Sequence, residues 1–364
     1  MAVSGACAAF SCLSIFVLMA RHAMHFSRPN EQTKILKICA LIPIYAVLSF
    51  ITIAVPDSYV YLTPWIEVFQ AIALGSFFLL LCEYVSPSAQ TRDVFFAALK
   101  VSEKKGKQVQ GLGWYRRRWF LIFQYPLVTF AVAIITDATQ PSNEYCLESS
   151  NIHFAHLWCS IASRVSVTFA VISVLRFFGV LKKDLKHHKP VAKFLAFKLI
   201  IALTFVQSII FQILRSKDVL TGTSKLTYAD VNFGIQTMII CCEMVPFAVF
   251  FHYAYDVRPY DISKPQPLPL AEMTESPNLQ NLQTGYGGAG QYQYPQQQQP
   301  QHQPQSAVEG TRFYQGGPLG IKAWLSVLNP MEILEAKYFA FVMKSESKRR
   351  SAEGSPAPPY TYRQ

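Results

Sequence analysis

The chain has 364 residues, of which 51% are hydrophobic and 14% aromatic, while only 15% are charged. Soluble domains usually carry about 25% charged residues, so this composition argues against a soluble protein and favours a lipid environment. The net charge of +11 does not indicate nucleic-acid binding, because the Lys and Arg residues fall between apolar stretches rather than in one basic patch.

Seven mostly apolar stretches follow one another along the chain. A helix rises about 1.5 Å per residue, so about 17 residues or more can cross a hydrocarbon core about 30 Å thick. The sequence therefore predicts an all-α, polytopic membrane protein with seven transmembrane helices. The predicted spans cover residues 2–20, 35–55, 66–85, 120–136, 154–180, 194–214 and 231–254.

The distribution of basic residues predicts the orientation of these spans. Of the 33 Lys and Arg residues, 27 lie in the first, third and fifth connections and in the C-terminal tail. Connections rich in Lys and Arg stay on the cytoplasmic side. Arg21 and Arg28 follow the first span and no basic residue precedes it, the reverse of a cleaved signal peptide. We therefore expect an outside amino terminus and a cytoplasmic carboxyl terminus, in either the plasma membrane or an endomembrane such as the vacuole.

Composition divides the chain into three regions. Residues 1–255 are predicted to form the seven-helix transmembrane domain. Residues 256–318 are predicted to be a disordered linker, because a run rich in Pro, Gln and Gly cannot bury enough apolar surface to offset chain entropy. Residues 319–364 are expected to form an amphipathic helix, capped by Asn329 and lying on the inner leaflet or beneath the bundle, and a basic cytoplasmic tail. The predicted apolar face of that helix consists of Met331, Leu334, Tyr338 and Phe341.

Neither a catalytic nor a metal-binding pattern is found, so the sequence predicts no enzyme and no cofactor. Motifs such as GxSxG, HExxH and the P-loop are absent, and the eight cysteines show no CxxC spacing. Only Cys146 lies in a loop predicted to be outside the membrane. A disulfide to Cys7 or Cys159 is one alternative, and an unpaired thiol is the one that we favour.

Ionisable side chains inside the spans are the strongest functional signal. A charge at the bilayer centre costs about 2.5 to 3.5 kcal/mol, so a partner or a polar cavity must offset it. Arg164 in the fifth span and Glu243 in the seventh are both predicted to lie near the midplane. We expect them either to form a salt bridge that fixes helix packing or to line a cavity for an anionic or amphipathic solute.

Five further polar residues complete the candidate solute path. Gln70 and Gln207 lie well inside the third and sixth spans, where their amides should bond to neighbouring helices or to water. Glu83, Lys198 and His252 lie near the predicted cytoplasmic ends of their spans. Side chains at such positions can also simply reach the membrane interface.

Three blocks of the sequence match a known family pattern. They are RHAMHFSRPNEQTKILKICALIPIYAVLSF, HKPVAKFLAFKLIIALTFVQS and CCEMVPFAVFFHYAY. The matching residues are His22, Pro29, Gln32, Ile35, Pro43, Ile44, Tyr45, Ser49, Pro190, Lys193, Phe194, Leu195, Lys198, Gln207, Glu243, Met244, His252 and Tyr253, together with Glu83 and Tyr84. In these residues the chain resembles the organic solute transporter alpha-subunit and transmembrane protein 184 family over most of residues 20–255. It departs from the family at Gln70, where Glu is frequent, and at Arg164, where Asn is frequent.

The resemblance implies a seven-span fold and, for the best-known branch, facilitated movement of steroid conjugates and bile-acid-like anions. We therefore expect a transmembrane transporter of amphipathic organic solutes, such as steroid- or lipid-like anions, that is not driven by ATP. A proton-coupled variant would use Glu243 and His252. The alternative function is a seven-helix receptor or a membrane signalling or trafficking scaffold. The expected partners are the lipid bilayer, the solute and either a second copy of the chain or the small single-span subunit that the resemblance implies, but not nucleic acid.

Overall fold

Helices make up most of the structure, a computed structural model that describes residues 1–87, 89–102, 108–147, 151–182, 185, 190–217, 230–262, 313–329 and 331–339. The elements in chain order are α1 (Ala2–Met24), α2 (Pro29–Cys39), α3 (Leu41–Ala54), α4 (Tyr59–Val85), α5 (Ala89–Ala98), β1 (Lys100–Ser102), β2 (Gln108–Gln110), α6 (Gly111–Thr139), α7 (Ala155–Leu181), α8 (Pro190–Ser216), α9 (Ile235–Ala254), α10 (Ile321–Leu328) and α11 (residues 331–339). Short 3-10 or π turns lie at Pro56–Ser58, Asp230–Gly234, Arg258–Tyr260 and Pro318–Gly320.

Seven helical segments are long and apolar enough to cross a membrane. They are α1, α2 with α3, α4, α6, α7, α8 and α9, so the predicted all-α, seven-span fold is confirmed. The second span is interrupted between Cys39 and Leu41. Pro43 explains the break, because its ring lacks an N–H and clashes with the carbonyl of the residue four positions earlier, which is Cys39. Which side of the membrane each terminus faces stays a prediction.

Helix α4 forms the centre of the bundle. In its most apolar stretch 78% of the residues are buried, against 31% in α8. It packs on α2, α3 and α6, while α1, α3 and α9 pack on one another, α6 packs on α7, and α8 packs on α9. The outer helices expose large apolar side chains, as a surface in contact with lipid requires. Examples are Phe10, Leu13, Val17, Trp158, Ile161, Phe169, Leu199, Val206 and Ile213.

The two ends of the bundle differ in how they are filled. We call the end where α1 begins the amino end, and the opposite end the tail end. The half of the bundle nearest the tail end contains an aromatic cluster, whose rings pack edge-to-face, stacked or tilted with centroids 4.1 to 6.3 Å apart. Its members are Phe78, Phe96, Trp114, Tyr115, Trp119, Phe123 and Phe177. The hairpin of β1 and β2, which pairs Val101 with Val109, joins α5 to α6 beside this cluster.

The C-terminal residues 313–329 and 331–339, together called the tail segment, dock on the tail end. The N–H of Gln315 donates to the Phe26 carbonyl over 2.8 Å. Gly320 has a φ of +73°, and a Cβ atom there would lie 2.8 Å from that of Ala23, so glycine permits this close approach. In α11, the Asn329 side chain accepts the N–H of Met331 over 2.9 Å, which confirms the predicted cap.

Helix α11 buries a different face from the one that the sequence analysis selected. Ile333 and Ala336 are 3% and 1% exposed, whereas Met331, Leu334 and Tyr338 remain exposed. Small and β-branched side chains fit here because α11 comes close to Gly75 of α4 and to Trp119 of α6. Docking beneath the bundle is therefore observed, and the predicted apolar face is turned away from it. Most of the predicted linker, residues 263–312, lies outside the described residues, as do Phe341 and the basic end of the chain.

Candidate solute cavity

A polar cavity of about 530 Å³ occupies the half of the bundle nearest the amino end. Helices α3, α4, α6, α7, α8 and α9 all contribute to its wall. Hydroxyl groups dominate the polar part of the lining, among them Thr63, Ser160, Thr204 and Ser208. Polar side chains inside transmembrane helices are energetically costly unless they face a polar cavity or a partner, so their convergence here makes this cavity the candidate site.

Arg164 of α7 lines this cavity. A position at a cavity was one of the two predicted environments for Arg164, and a salt bridge with Glu243 was the other. Glu67 of α4 also lines the cavity and interacts electrostatically with Arg164. Among the described residues the Arg164 guanidinium forms no direct ion pair, and the Arg164 side chain is exposed. A guanidinium in this situation can bind a carboxylate, sulfate or phosphate group through two parallel hydrogen bonds.

Gln70 lies one helical turn from Glu67 on the same face of α4 and is 7% exposed. Its side-chain carbonyl accepts a hydrogen bond from the Tyr45 hydroxyl of α3. This bond satisfies a buried amide that the sequence analysis expected to bond to a neighbouring helix. Tyr145 closes the wall near the amino end, where burial raises the pKa of its hydroxyl to about 12. The Tyr145 hydroxyl therefore stays a neutral hydrogen-bond donor at physiological pH.

Gln207 and Glu243 form a second polar pair beside the cavity. The Gln207 amide of α8 donates a hydrogen bond to the Glu243 carboxyl of α9. Thr204 and Ser208 on the same helix, and Ile240 on α9, line the cavity itself. No ion pair joins Arg164 and Glu243 within the described part of the chain, so the predicted salt bridge between them is not formed. The two residues were expected to meet because they lie at similar depths, but each helix turns its polar group towards a different neighbour.

The other predicted path residues lie elsewhere. Glu83 is buried at the tail end, 3.8 Å from the Lys34 ammonium and 3.6 Å from the Arg92 guanidinium. His252 contacts Ser14 of α1, with its Nε2 atom 3.1 Å from the Ser14 hydroxyl. Lys198 belongs to α8, and its side chain lies outside the described residues. Of the six predicted residues whose side chains the structure describes, the cavity thus contains Gln70 and Arg164, with the Gln207 and Glu243 pair next to it.

An apolar groove of about 220 Å³ lies between α7 and α8 and adjoins the polar cavity. Leu74, Val171 and Phe194 are among its lining residues. Val167 of α7 and Ile201 of α8 line both the groove and the cavity, so the two spaces share a wall. The combined site offers a charged polar region beside an apolar groove.

Glu67 is a cavity-lining residue that sequence reasoning missed. It lies at the beginning of the predicted third span, where a charged residue is easily assigned to the membrane interface. Its spacing from Gln70 places both side chains on one helical face, and that spacing was the available signal. The proximity of Glu67 to Arg164 depends on how α4 and α7 pack, and a single sequence does not contain that information.

Comparisons with known proteins match the part of the chain that contains the seven spans. The family model described as organic solute transporter Ostalpha matches residues 1–260, which include all seven spans. The chain belongs to this family. A transmembrane protein 184 homolog from Dictyostelium discoideum is 22% identical over 264 residues, covering 68% of this chain and 50% of the homolog. The match thus spans half the length of that relative. No solved structure matches the chain.

Several residues of the family pattern stabilise the tail end rather than the cavity. Gln32 accepts the N–H groups of Ser27 and Arg28 over 2.8 and 2.9 Å and donates to the His25 carbonyl over 2.9 Å. His22 contacts the carbonyl of Tyr255 at 2.9 Å. These bonds connect α1, α2 and the end of α9.

Within the residues that the structure describes, no three His, Cys, Asp or Glu side chains could hold a metal ion, and all eight cysteines are unpaired thiols.

Proposed function

We propose that the protein is a transporter that moves amphipathic organic anions, such as steroid- or lipid-like carboxylates and sulfates, across a membrane without ATP. The observation that supports this most directly is the Arg164 guanidinium in a polar cavity that adjoins an apolar groove. An amphipathic anion has the same two parts, a charged group and a hydrophobic body. The family assignment supports a membrane solute transporter in general, and the cavity suggests the class of solute.

Arg164 is assigned the role of binding the anionic group. Glu67 lines the cavity together with Arg164, and among the described residues the two form no ion pair. An entering carboxylate or sulfate would contact the guanidinium directly, which strengthens the electrostatic interaction in a site of low dielectric constant. The hydrophobic body would then lie along the groove beside Val167 and Ile201. Hydroxyl groups such as Ser163 and Thr204 would bind polar substituents of the solute.

Solute flux into proteoliposomes tests this function. We expect Arg164→Leu to reduce the initial rate for an anionic steroid conjugate by about tenfold or more, the factor given by one lost charge-assisted hydrogen bond. The flux of a neutral steroid of the same size should change much less. Arg176→Leu is the matched control, because Arg176 lies on the same helix, is exposed and lines neither the cavity nor the groove.

Equal rates for wild type and Arg164→Leu, at equal amounts of folded protein, would overturn the proposed role of Arg164. Absence of anion flux in the wild type itself would overturn the transporter proposal. The receptor or scaffold function would then be tested by deleting residues 265–364 and measuring the cellular phenotype. An unchanged flux with a lost phenotype would favour that alternative.

A further inference from the structure

Two lysines of α2 hold one carboxyl group of the tail segment. The Lys34 ammonium lies 2.8 Å from Oε1 of Glu332, and the Lys37 ammonium lies 2.9 Å from Oε2. Each carboxylate oxygen therefore has its own cationic partner. The charge-assisted bonds to both oxygens fix the orientation as well as the position of the Glu332 carboxylate.

The surroundings of the two lysines carry excess positive charge. Their side chains are only 7% and 4% exposed, whereas that of Glu332 is 28% exposed. The nearest further charges in ion pairs are Glu83, which approaches Lys34, and Arg92, which approaches Glu83. Apart from Glu332, this cluster therefore contains three cations and one carboxylate. They are Lys34, Lys37, Arg92 and Glu83. Burial by itself would raise the pKa of Glu332, but Lys34 and Lys37 lower it below the ordinary value.

The cover over this site is the tail segment itself. Thr33, which precedes Lys34, donates a hydrogen bond to the Ser326 hydroxyl of α10 over 3.1 Å. Ile333, next to Glu332, packs beside Phe123 against Gly75, where a Cβ atom would lie 3.4 Å from Ile333 and 3.2 Å from Phe123. A carboxylate adjoining a buried apolar side chain has the same two-part chemistry as an amphipathic carboxylate. Removal of the segment would uncover the two ammonium groups and take away their main anionic partner, so that another anion could bind in its place.

We propose that Lys34 and Lys37 form a second anion site, specific for the carboxylates of amphipathic solutes, and that Glu332 occupies it as a competitor built into the chain. The site lies at the end of the bundle opposite to the amino-end cavity, the end that the charge distribution predicts to be cytoplasmic. The identity of the solute class rests on the proposed function. A solute carboxylate that binds Lys34 and Lys37 displaces α11 and so opens the tail end.

The first experiment measures deuterium exchange of residues 321–339 in the full chain in phosphatidylcholine nanodiscs. Glu332→Gln should raise exchange in this segment about tenfold, because it removes the charge from both bonds to the lysines. Glu335→Gln, the matched control, changes an exposed carboxyl group on the same helix and should raise exchange less than about twofold. Equal exchange in Glu332→Gln and wild type would overturn the proposal.

The second experiment adds dodecanoate as the amphipathic carboxylate, and dodecyltrimethylammonium as a cation with the same alkyl chain. In the wild type, dodecanoate should raise exchange of residues 321–339 to the level of Glu332→Gln, and the cation should have no effect. In the double variant Lys34→Gln/Lys37→Gln, exchange should already be high and should not respond to dodecanoate. Release of the segment by both amphiphiles, or by neither, would overturn the proposal and leave the lysines as a structural clamp.

The two proposals fail in different ways. If dodecanoate releases the tail segment but Arg164→Leu leaves anion flux unchanged, the second anion site stands and the proposed role of the cavity does not. If flux depends on Arg164 but the tail segment ignores dodecanoate, the cavity stands and the second site does not. Flux through Glu332→Gln gives a further readout, which should rise about threefold or more if closure by the tail segment limits transport.

Discussion

The amino half and the tail half of the bundle both contain charged side chains, but they accommodate them differently. In the amino half, Arg164 and Glu67 face an open cavity and do not pair closely. In the tail half, Lys34, Lys37 and Glu332 form a direct ion cluster, and aromatic rings fill the space above it. The first arrangement places the charges at a cavity surface, and the second joins them in direct ion pairs.

The comparison indicates which parts of the protein should tolerate change. Side chains that line a cavity make fewer packing contacts than buried side chains do. Substitutions of cavity-lining residues should therefore affect solute binding more than the free energy of unfolding. The tail half has the density of a protein interior, where deleted or added volume is strongly felt. The cavity therefore lies in the amino half, and the tail half, with α11 docked on it, is closely packed.

Truncation of a tail-half tryptophan should produce the largest loss of stability. Trp119 is 3% exposed, packs against Phe78 and Phe123, and donates to the Ala336 carbonyl over 2.8 Å. Trp119→Ala should lower the free energy of unfolding by about 3–5 kcal/mol. Trp158→Ala is the control at the amino end, since Trp158 is 60% exposed. Thermal unfolding in detergent gives the measurement, and equal shifts for both variants would contradict the proposed difference between the halves.

Added volume at Gly75 should loosen α11 specifically. A Cβ atom there would lie 3.2 Å from Phe123 and 3.4 Å from Ile333, so a larger side chain must push one of them away. Gly75→Val should weaken docking of residues 331–339 by about 1–3 kcal/mol, which deuterium exchange of that segment would report. Gly113→Val introduces the same side chain in α6, where a Cβ meets nothing within 4 Å. If both variants leave α11 equally protected, the contact between Ile333 and α4 does not hold the tail segment.

The sequence predicted the seven spans well because hydrophobic length is a local property. The break near Pro43 and the cap at Asn329 were predictable for the same reason, since each depends on residues within one turn. The partners of charged residues were not predictable in this way. Arg164 and Glu243 have similar depths, yet Glu243 bonds to Gln207, because partner choice depends on how each helix is rotated about its axis.

The contacts of the tail segment depend on still longer separations. Lys37 and Glu332 are 295 residues apart, with the Gln-rich run between them. The amphipathic pattern correctly predicted a helix but selected Met331, Leu334 and Tyr338 as its buried face. Helix α11 is apolar on more than one side, so periodicity alone does not determine which side docks. The close approach permitted by Gly75 decides in favour of Ile333 and Ala336.

Acidification should release the tail segment only under strongly acidic conditions, which is the smallest expected effect. The ammonium groups of Lys34 and Lys37 lower the pKa of docked Glu332 below its ordinary value of 4.5. A lowered pKa means that the ionised form stabilises docking, fully above the ordinary value and progressively less as the pH falls through the docked value. Exchange of residues 331–339, corrected for its intrinsic pH dependence, should therefore be constant between pH 7 and about pH 5 and rise below the ordinary pKa. Glu332→Gln should remove this transition, and a release that begins above pH 5 in the wild type would mean that burial outweighs the two lysines.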